Sequence, residues 1–236
     1  MSTIRRWMAV TAALGLAGAL ATSAPRATRG AEPAVPIPPP AVDNPKAAGP
    51  TQVAVLAGGC FWGVQGVYQH VRGVQQALSG YAGGTRETAD YETVSRGGTR
   101  HAESVEVRFD PEQISYGEIL QIYFSVVHDP TQRDRQGPDV GPQYRSNIFY
   151  ADASQKRVAE AYVAQLQSAR VFGRPIVTRV DRLEAFYPAE AYHQDFMIRN
   201  PSYPYIVVHD LPKLDNFKKM FPGRYRERPV TAEKSR

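Results

Sequence analysis

Residues 53–57 are all apolar, and they run into Gly58-Gly59 and then Cys60, the only cysteine in the 236-residue chain. Beyond it, Phe61, Val64, Val67, Tyr68 and Val71 recur at helical spacing. A short run without polar alternation fits a strand buried on both faces. The thiol therefore stands where such a strand turns into an amphipathic helix. A strand covered on both faces and followed by a helix fits a layered α/β architecture.

The rest of the chain extends this pattern. Residues 74–83 read as a strand ending in a glycine-rich turn. Residues 103–109 alternate, with Val105, Val107 and Phe109 on one face and Ser104, Glu106 and Arg108 on the other. "SYGE" at 115–118 has the form of a capping box before a helix carrying Ile119, Ile122, Tyr123, Val126 and Val127. Residues 147–151 read as a strand, and Asp152 precedes a helix with Val158, Ala159, Tyr162, Val163 and Leu166 on one stripe. A strand at 176–181 and a short helix at 189–199 follow. The first six elements, β-α-β-β-α-β, match the split β-α-β, ferredoxin-like order. The expected fold is an α/β two-layer sandwich with a mainly antiparallel sheet. Residues 128–146 read as a long irregular loop, a frequent location of function.

The ends look different. Arg5-Arg6, an apolar stretch from Met8 to Ala21 and small residues up to Ala24 form the pattern of a secretory signal at 1–24. Export to the periplasm or medium is the expectation, with no stable membrane insertion after cleavage. The apolar stretch is short for a membrane span. Eight prolines between residues 25 and 50 suggest an extended linker. The folded domain is then 51–221, followed by a basic, solvated tail at 222–236. The net charge is +5, and losing Arg5 and Arg6 with residues 1–21 takes it to +3. No concentrated basic face points to nucleic acid.

An unpaired cysteine in an exported chain is either a small buried hydrophobe or a reactive group. The helix start favours the second reading, because free N–H groups and the dipole there stabilise a thiolate. Glu103 falls on the apolar side of its strand. Buried there, its carboxyl would hold a proton and could act as a general acid; at a frayed strand start it would turn to solvent. Periodicity leaves both open. Tyr91 and Tyr144 lie in loop-like surroundings, where a hydroxyl is available for function. Asp139 shares the irregular loop and reads equally as a turn former.

"GGCFWGVQ" at 58–65 resembles the active-site signature of the A-type peptide methionine sulfoxide reductases. "SGYAGG", "YETV", "HAESVEV", "HDPTQ", "GPQYRS" and "AEAYHQDF" match the family's other blocks in order, over roughly residues 52–209. The resemblance implies reduction of the S-epimer of methionine sulfoxide, free or in oxidised proteins, with no bound cofactor or metal. It implies Cys60 as nucleophile and Phe61 and Trp62 as the wall for the substrate methyl group. It places Tyr91, Glu103 and Tyr144 around the sulfoxide oxygen, with Asp139 in support. Many relatives carry further cysteines that resolve the oxidised nucleophile, and this chain has none. An external thiol is implied, of thioredoxin, glutaredoxin or low-molecular-weight type, acting on a monomer.

Two other readings compete. Cys60 with His101 or His193 as base would make a cysteine hydrolase or acyltransferase. A buried, inert Cys60 beside an aromatic groove would make a peptide-binding module.

Overall fold

Along residues 53–57, alternate side chains face opposite sides of a sheet, and both sides are apolar. Ala54 and Leu56 enter the main core, while Val53, Val55 and Ala57 join a smaller cluster with Ala82, Ala102 and Phe149. This is the two-faced burial that the unbroken apolar run predicts. A computed structural model of the chain describes Gly30 and residues 33–232. The expected signal at 1–24 lies outside the described residues. No described helix is long and apolar enough to cross a membrane.

In chain order the elements are β1 (Gln52–Ala57), α1 (Phe61–Gln69), β2 (Val74–Ala82), α2 (Tyr91–Ser95), β3 (Ala102–Phe109), α3 (Tyr116–Ile122), β4 (Arg135–Gln136), β5 (Asp139–Val140), β6 (Asn147–Tyr150), α4 (Ala153–Ser168), β7 (Arg179–Arg182), β8 (Phe186–Pro188), α5 (Phe196–Arg199) and α6 (Leu211–Met220). The main sheet has the order β7-β6-β1-β3-β2-β8. Its four inner strands pair antiparallel, the ferredoxin-like arrangement. β7 is added parallel to β6, and β8 antiparallel to β2. Val64, Val67 and Tyr68 of α1 and Ile119 and Leu120 of α3 bury their faces in the main core.

Local signals account for the helix starts. Ser115 and Glu118 form the expected capping box, each side chain bonded to the other's backbone N–H. Asp152 accepts the Gln155 N–H at 2.9 Å. The helix expected at 189–199 is instead broken into a 3-10 turn and α5. The cause is tertiary: the Gln194 amide accepts from the Ser79 N–H and donates to the Ser79 carbonyl, at 3.0 and 2.9 Å. Asp195 then turns left-handed at φ 55°.

Both ends of the described chain are more ordered than their composition suggests. The proline-rich segment is not a free linker. Val35 donates its N–H to Ser125, the Tyr162 hydroxyl donates to the Pro38 carbonyl, and Asp43 accepts the Gly117 N–H. Proline lacks an N–H but keeps its carbonyl, so α4 grips the segment through its acceptors. The basic tail is likewise not free as far as residue 232. Arg226 and Val230 donate their N–H groups to His70 and Gln69, and Ala232 donates to Asp195.

Candidate active site

The turn between β1 and α1 places Cys60. Gly59 has φ +89°, and a Cβ there would lie 2.7 Å from the Gln136 Cβ, so only glycine fits. Cys60 is the N-cap residue of α1 and is 9% exposed. The first helical N–H is engaged: Phe61 donates to Glu103 Oε2 at 3.0 Å. The Cys60 side chain makes no capping hydrogen bond, and the Trp62 N–H acts on the sulfur only by favouring its ionised form.

This changes the electrostatic expectation for the thiol. A helix start by itself favours the thiolate. Here burial pushes the Cys60 pKa well up, and Glu103, Asp210 and Asp139 push it further; the Trp62 N–H opposes them. The resting group is a protonated thiol, because burial and the nearby carboxyls outweigh the helix start.

Glu103 does not fray to solvent. β3 pairs it with Tyr81 of β2, and it is 3% exposed. Burial raises its pKa to about 8 against the Phe61 N–H, with Asp139 and Asp210 adding to the rise. At neutral pH it holds a proton beside Cys60.

The loop at 128–146 is not irregular throughout. β4 and β5 pair as a small hairpin, Gln136 opposite Asp139, and a 3-10 turn at Pro142–Tyr144 follows. The hairpin brings Asp139 to the site and the turn brings Tyr144. Burial raises the Tyr144 hydroxyl, and Glu103, Asp139, Cys60 and Tyr91 all act on it. Burial also raises Tyr91, with Glu103 and Cys60 contributing. Both hydroxyls are therefore protonated donors. The structure brings together Cys60, Glu103, Tyr91, Tyr144 and Asp139, drawn from five separate elements.

Phe61 is fully buried and packs on Tyr81 and His193, at ring distances of 5.9 and 5.0 Å. Trp62 is partly exposed, stacks on Phe196 at 3.8 Å and donates its Nε1–H to His193 Nδ1 at 3.1 Å. The Tyr91 ring lies 4.5 Å from His193. His101 is engaged with the Thr85 carbonyl, and His193 accepts the Trp62 indole N–H at Nδ1 while its Nε2 has no partner among the described residues. The charges that act on the thiol are carboxylates, which disfavours a Cys–His base pair.

Periodicity and spacing missed several neighbours. The Tyr205 hydroxyl donates to Asp139 Oδ2. Glu190 accepts from the Tyr81 hydroxyl and the Tyr91 N–H. Asp210 and Lys213 are buried, 3.4 Å apart, at the start of α6. "PYIVVHDLPK" at 204–213 offered only an apolar run and a helix-starting proline as signals. Among the described residues, no group of three His, Cys, Asp or Glu side chains is placed to hold a metal.

The model of the family described as peptide methionine sulfoxide reductase matches residues 52–225. The chain is 56% identical over 185 residues to the peptide methionine sulfoxide reductase MsrA 2 of Mesorhizobium japonicum, covering 78% of this chain and 95% of that one. It is 48% identical to the MsrA of Thermus thermophilus, covering 75% and 99%. Among solved structures, it resembles methionine sulfoxide reductase A of Corynebacterium diphtheriae with a TM-score of 0.57 and 34% identity, over 75% of this chain and 89% of that one. It also resembles reduced Mxr1 of Saccharomyces cerevisiae with a TM-score of 0.61 and 30% identity, over 69% and 94%. A ferredoxin-like sheet, a cysteine at the β1–α1 turn, and matches across nearly the whole length of these relatives establish that the chain belongs to the peptide methionine sulfoxide reductase family.

Proposed function

We propose that this methionine sulfoxide reductase acts on the S-epimer, free or in oxidised proteins, through Cys60 and Glu103. The observation that carries the reading is the shared helix start: Cys60 is the N-cap of α1, and the next residue's N–H holds the Glu103 carboxyl at 3.0 Å. Cys60 attacks the sulfoxide sulfur as its thiolate. Electrons move onto oxygen, which leaves sulfur only if protonated, and Glu103 supplies that proton. Tyr91 and Tyr144 donate hydrogen bonds to the developing negative charge. Trp62 and Phe61 receive the methyl group, since sulfur and methyl contacts with rings are favourable.

The balance is one oxygen transferred: a thiol and a sulfoxide become a sulfenic acid and a thioether. The thiol proton makes good the one given by Glu103, so the site begins and ends with the acid protonated. Cys60 sulfenic acid is then reduced by an external thiol, because there is no second cysteine. A thioredoxin, a glutaredoxin or a small thiol fits that chemistry, with the enzyme acting as a monomer. The pattern at 1–24 supports export, to be tested by cell fractionation.

The decisive assay uses purified protein and dithiothreitol, with the two methionine sulfoxide epimers supplied separately. Methionine is expected from the S-epimer alone, with none from Cys60→Ser. Turnover of the R-epimer at a comparable rate would overturn the epimer assignment, and a folded, active Cys60→Ser variant the nucleophile.

A further inference from the structure

Arg145 follows Tyr144 in "GPQYRS", and the mechanism makes no use of it. It is 8% exposed, and Lys213 is the other buried cation among the described residues. Lys213 has a carboxylate, Asp210, beside it. The hydrogen bonds of Arg145 run instead to backbone carbonyls. Nη1 donates to His101 at 3.0 Å and to Pro142 at 2.9 Å, and Nη2 donates to Arg100 at 2.9 Å. Its Nε has no partner among the described residues. Burial lowers its pKa from the usual arginine value, so the charge is held there at a cost.

The backbone makes room for this group. Gly83, in "SGYAGG", has φ +94°, and a Cβ there would lie 2.9 Å from Arg145 Nη2 and 3.0 Å from the Arg100 carbonyl oxygen. Three of the sequence blocks, at Gly83, His101 and Pro142, therefore converge on one guanidinium. The segments it joins are those that carry the acid and a hydroxyl. Arg100 and His101 lead into β3, where Glu103 stands two residues beyond His101. Pro142 opens the 3-10 turn that ends at Tyr144. A second tether holds the same turn, since the Gln143 amide donates to the Ser95 carbonyl of α2 at 3.1 Å. Besides burial, the charge of Glu103 acts on the Tyr144 hydroxyl. Arg145 lines a cleft with Phe149, a member of the smaller cluster, whereas α1 packs in the main core. Its influence on the chemistry runs through the backbone it holds.

We propose that Arg145 is a positioning residue for the reduction: by tying the Pro142–Tyr144 turn to the start of β3, it fixes the Tyr144 hydroxyl relative to the Glu103 carboxyl, so that both meet the sulfoxide oxygen together. This rests on the reading that Glu103 protonates that oxygen and Tyr144 donates to it. A guanidinium suits the task because its donors form a rigid planar fork. A lysine keeps the charge but carries all its donors on one nitrogen, and it cannot hold carbonyls from two segments in one plane.

The test is a double-mutant cycle on single-turnover methionine release, with Arg145→Lys, Tyr144→Phe and the double variant each checked for folding by circular dichroism. Tyr144→Phe should slow release by up to about 10²–10³-fold, as expected for loss of a donor to a developing oxyanion. Arg145→Lys should also slow release, with the half-saturating substrate concentration unchanged, because the hydroxyl acts on charge that develops only in the reaction. The double variant should match the slower single variant within about twofold, because both remove the same interaction. Losses that multiply would mark a purely structural role and overturn the proposal. So would Arg145→Lys releasing methionine at the wild-type rate, or a loss confined to the half-saturating concentration. Should Arg145→Lys not fold, Gly83→Ala, whose Cβ crowds the guanidinium, carries the same cycle: a loss absorbed by Tyr144→Phe supports the proposal, and a multiplying loss or none overturns it. If Tyr144→Phe alone is as fast as wild type, the reading of Tyr144 fails and the proposal with it, a result separate from these because position 145 is untouched.

Discussion

At the residue scale, the active site is a set of protons held in place by burial. Among the described residues no cation acts to ionise Glu103, and the Phe61 N–H it accepts does not outweigh desolvation. Two measurements follow from this. Glu103→Gln should slow single-turnover methionine release by about 10²–10⁴-fold, the usual worth of a general acid. In the wild type, release should decline as pH rises through about 8, where Glu103 loses its proton, and the variant should lack that decline. The stability sign is opposite to that of a salt-bridged carboxylate. Folded Glu103 keeps its proton from its ordinary value of 4.5 up to about 8, a window in which the unfolded chain has released it. Its contribution to stability is therefore lost as pH rises across that window. Chemical denaturation of wild type and Glu103→Gln between pH 5 and 8 should show a steeper fall in the wild type.

At the element scale, the β1–α1 turn joins fold to chemistry. Its backbone must reverse within two glycines while Gln136 of β4 packs against it. The Gln136 side chain is in turn tied to Asp129, accepting its N–H at 3.0 Å and donating to its carbonyl at 2.7 Å. Gly59→Ala places a Cβ in both an unfavourable φ and the Gln136 side chain. A loss of about 1–3 kcal/mol is expected from the backbone alone. The melting temperature should fall, and activity should fall further than stability, because Cys60 is the next residue. A variant as stable and active as wild type would mean that the turn adapts without moving the sulfur. Gly63 is constrained differently: it lets Asp210 and Lys213 approach the helix that carries the nucleophile.

At the scale of the whole molecule, the sheet supplies β1 and β3 as adjacent strands, so Cys60 and Glu103 meet although 43 positions separate them in the chain. The hairpin and the start of α6 close the site from elsewhere. Having one cysteine, the chain cannot form an internal disulfide. Excess methionine sulfoxide without thiol should therefore yield about one methionine per chain, the capacity of one sulfenic acid. The intact mass should rise by one oxygen, and small thiols should restart turnover. Two methionines per chain would require another reducing group; a Cys60–Cys60 disulfide between chains is checked by non-reducing electrophoresis.

The inner sheet was legible in the sequence because local patterns and tertiary demands agree there. The unbroken apolar run of β1, the alternation of β3, the Ser115 capping box and the Asp152 cap are each read within a few residues. The place of Cys60 at a helix start was legible for the same reason. Its charge state was not: that depends on three carboxylates brought from β3, β5 and the segment before α6, which no local window contains. The burial of Glu103 remained open until β3 was paired on both sides. The break at Gln194 depends on a bond to β2, 115 residues away in sequence. The docking of the proline-rich segment depends on carbonyl acceptors that composition does not display. Periodicity reports which face of an element is apolar; what meets that face, and which protons the meeting retains, is decided by distances between residues far apart in the chain.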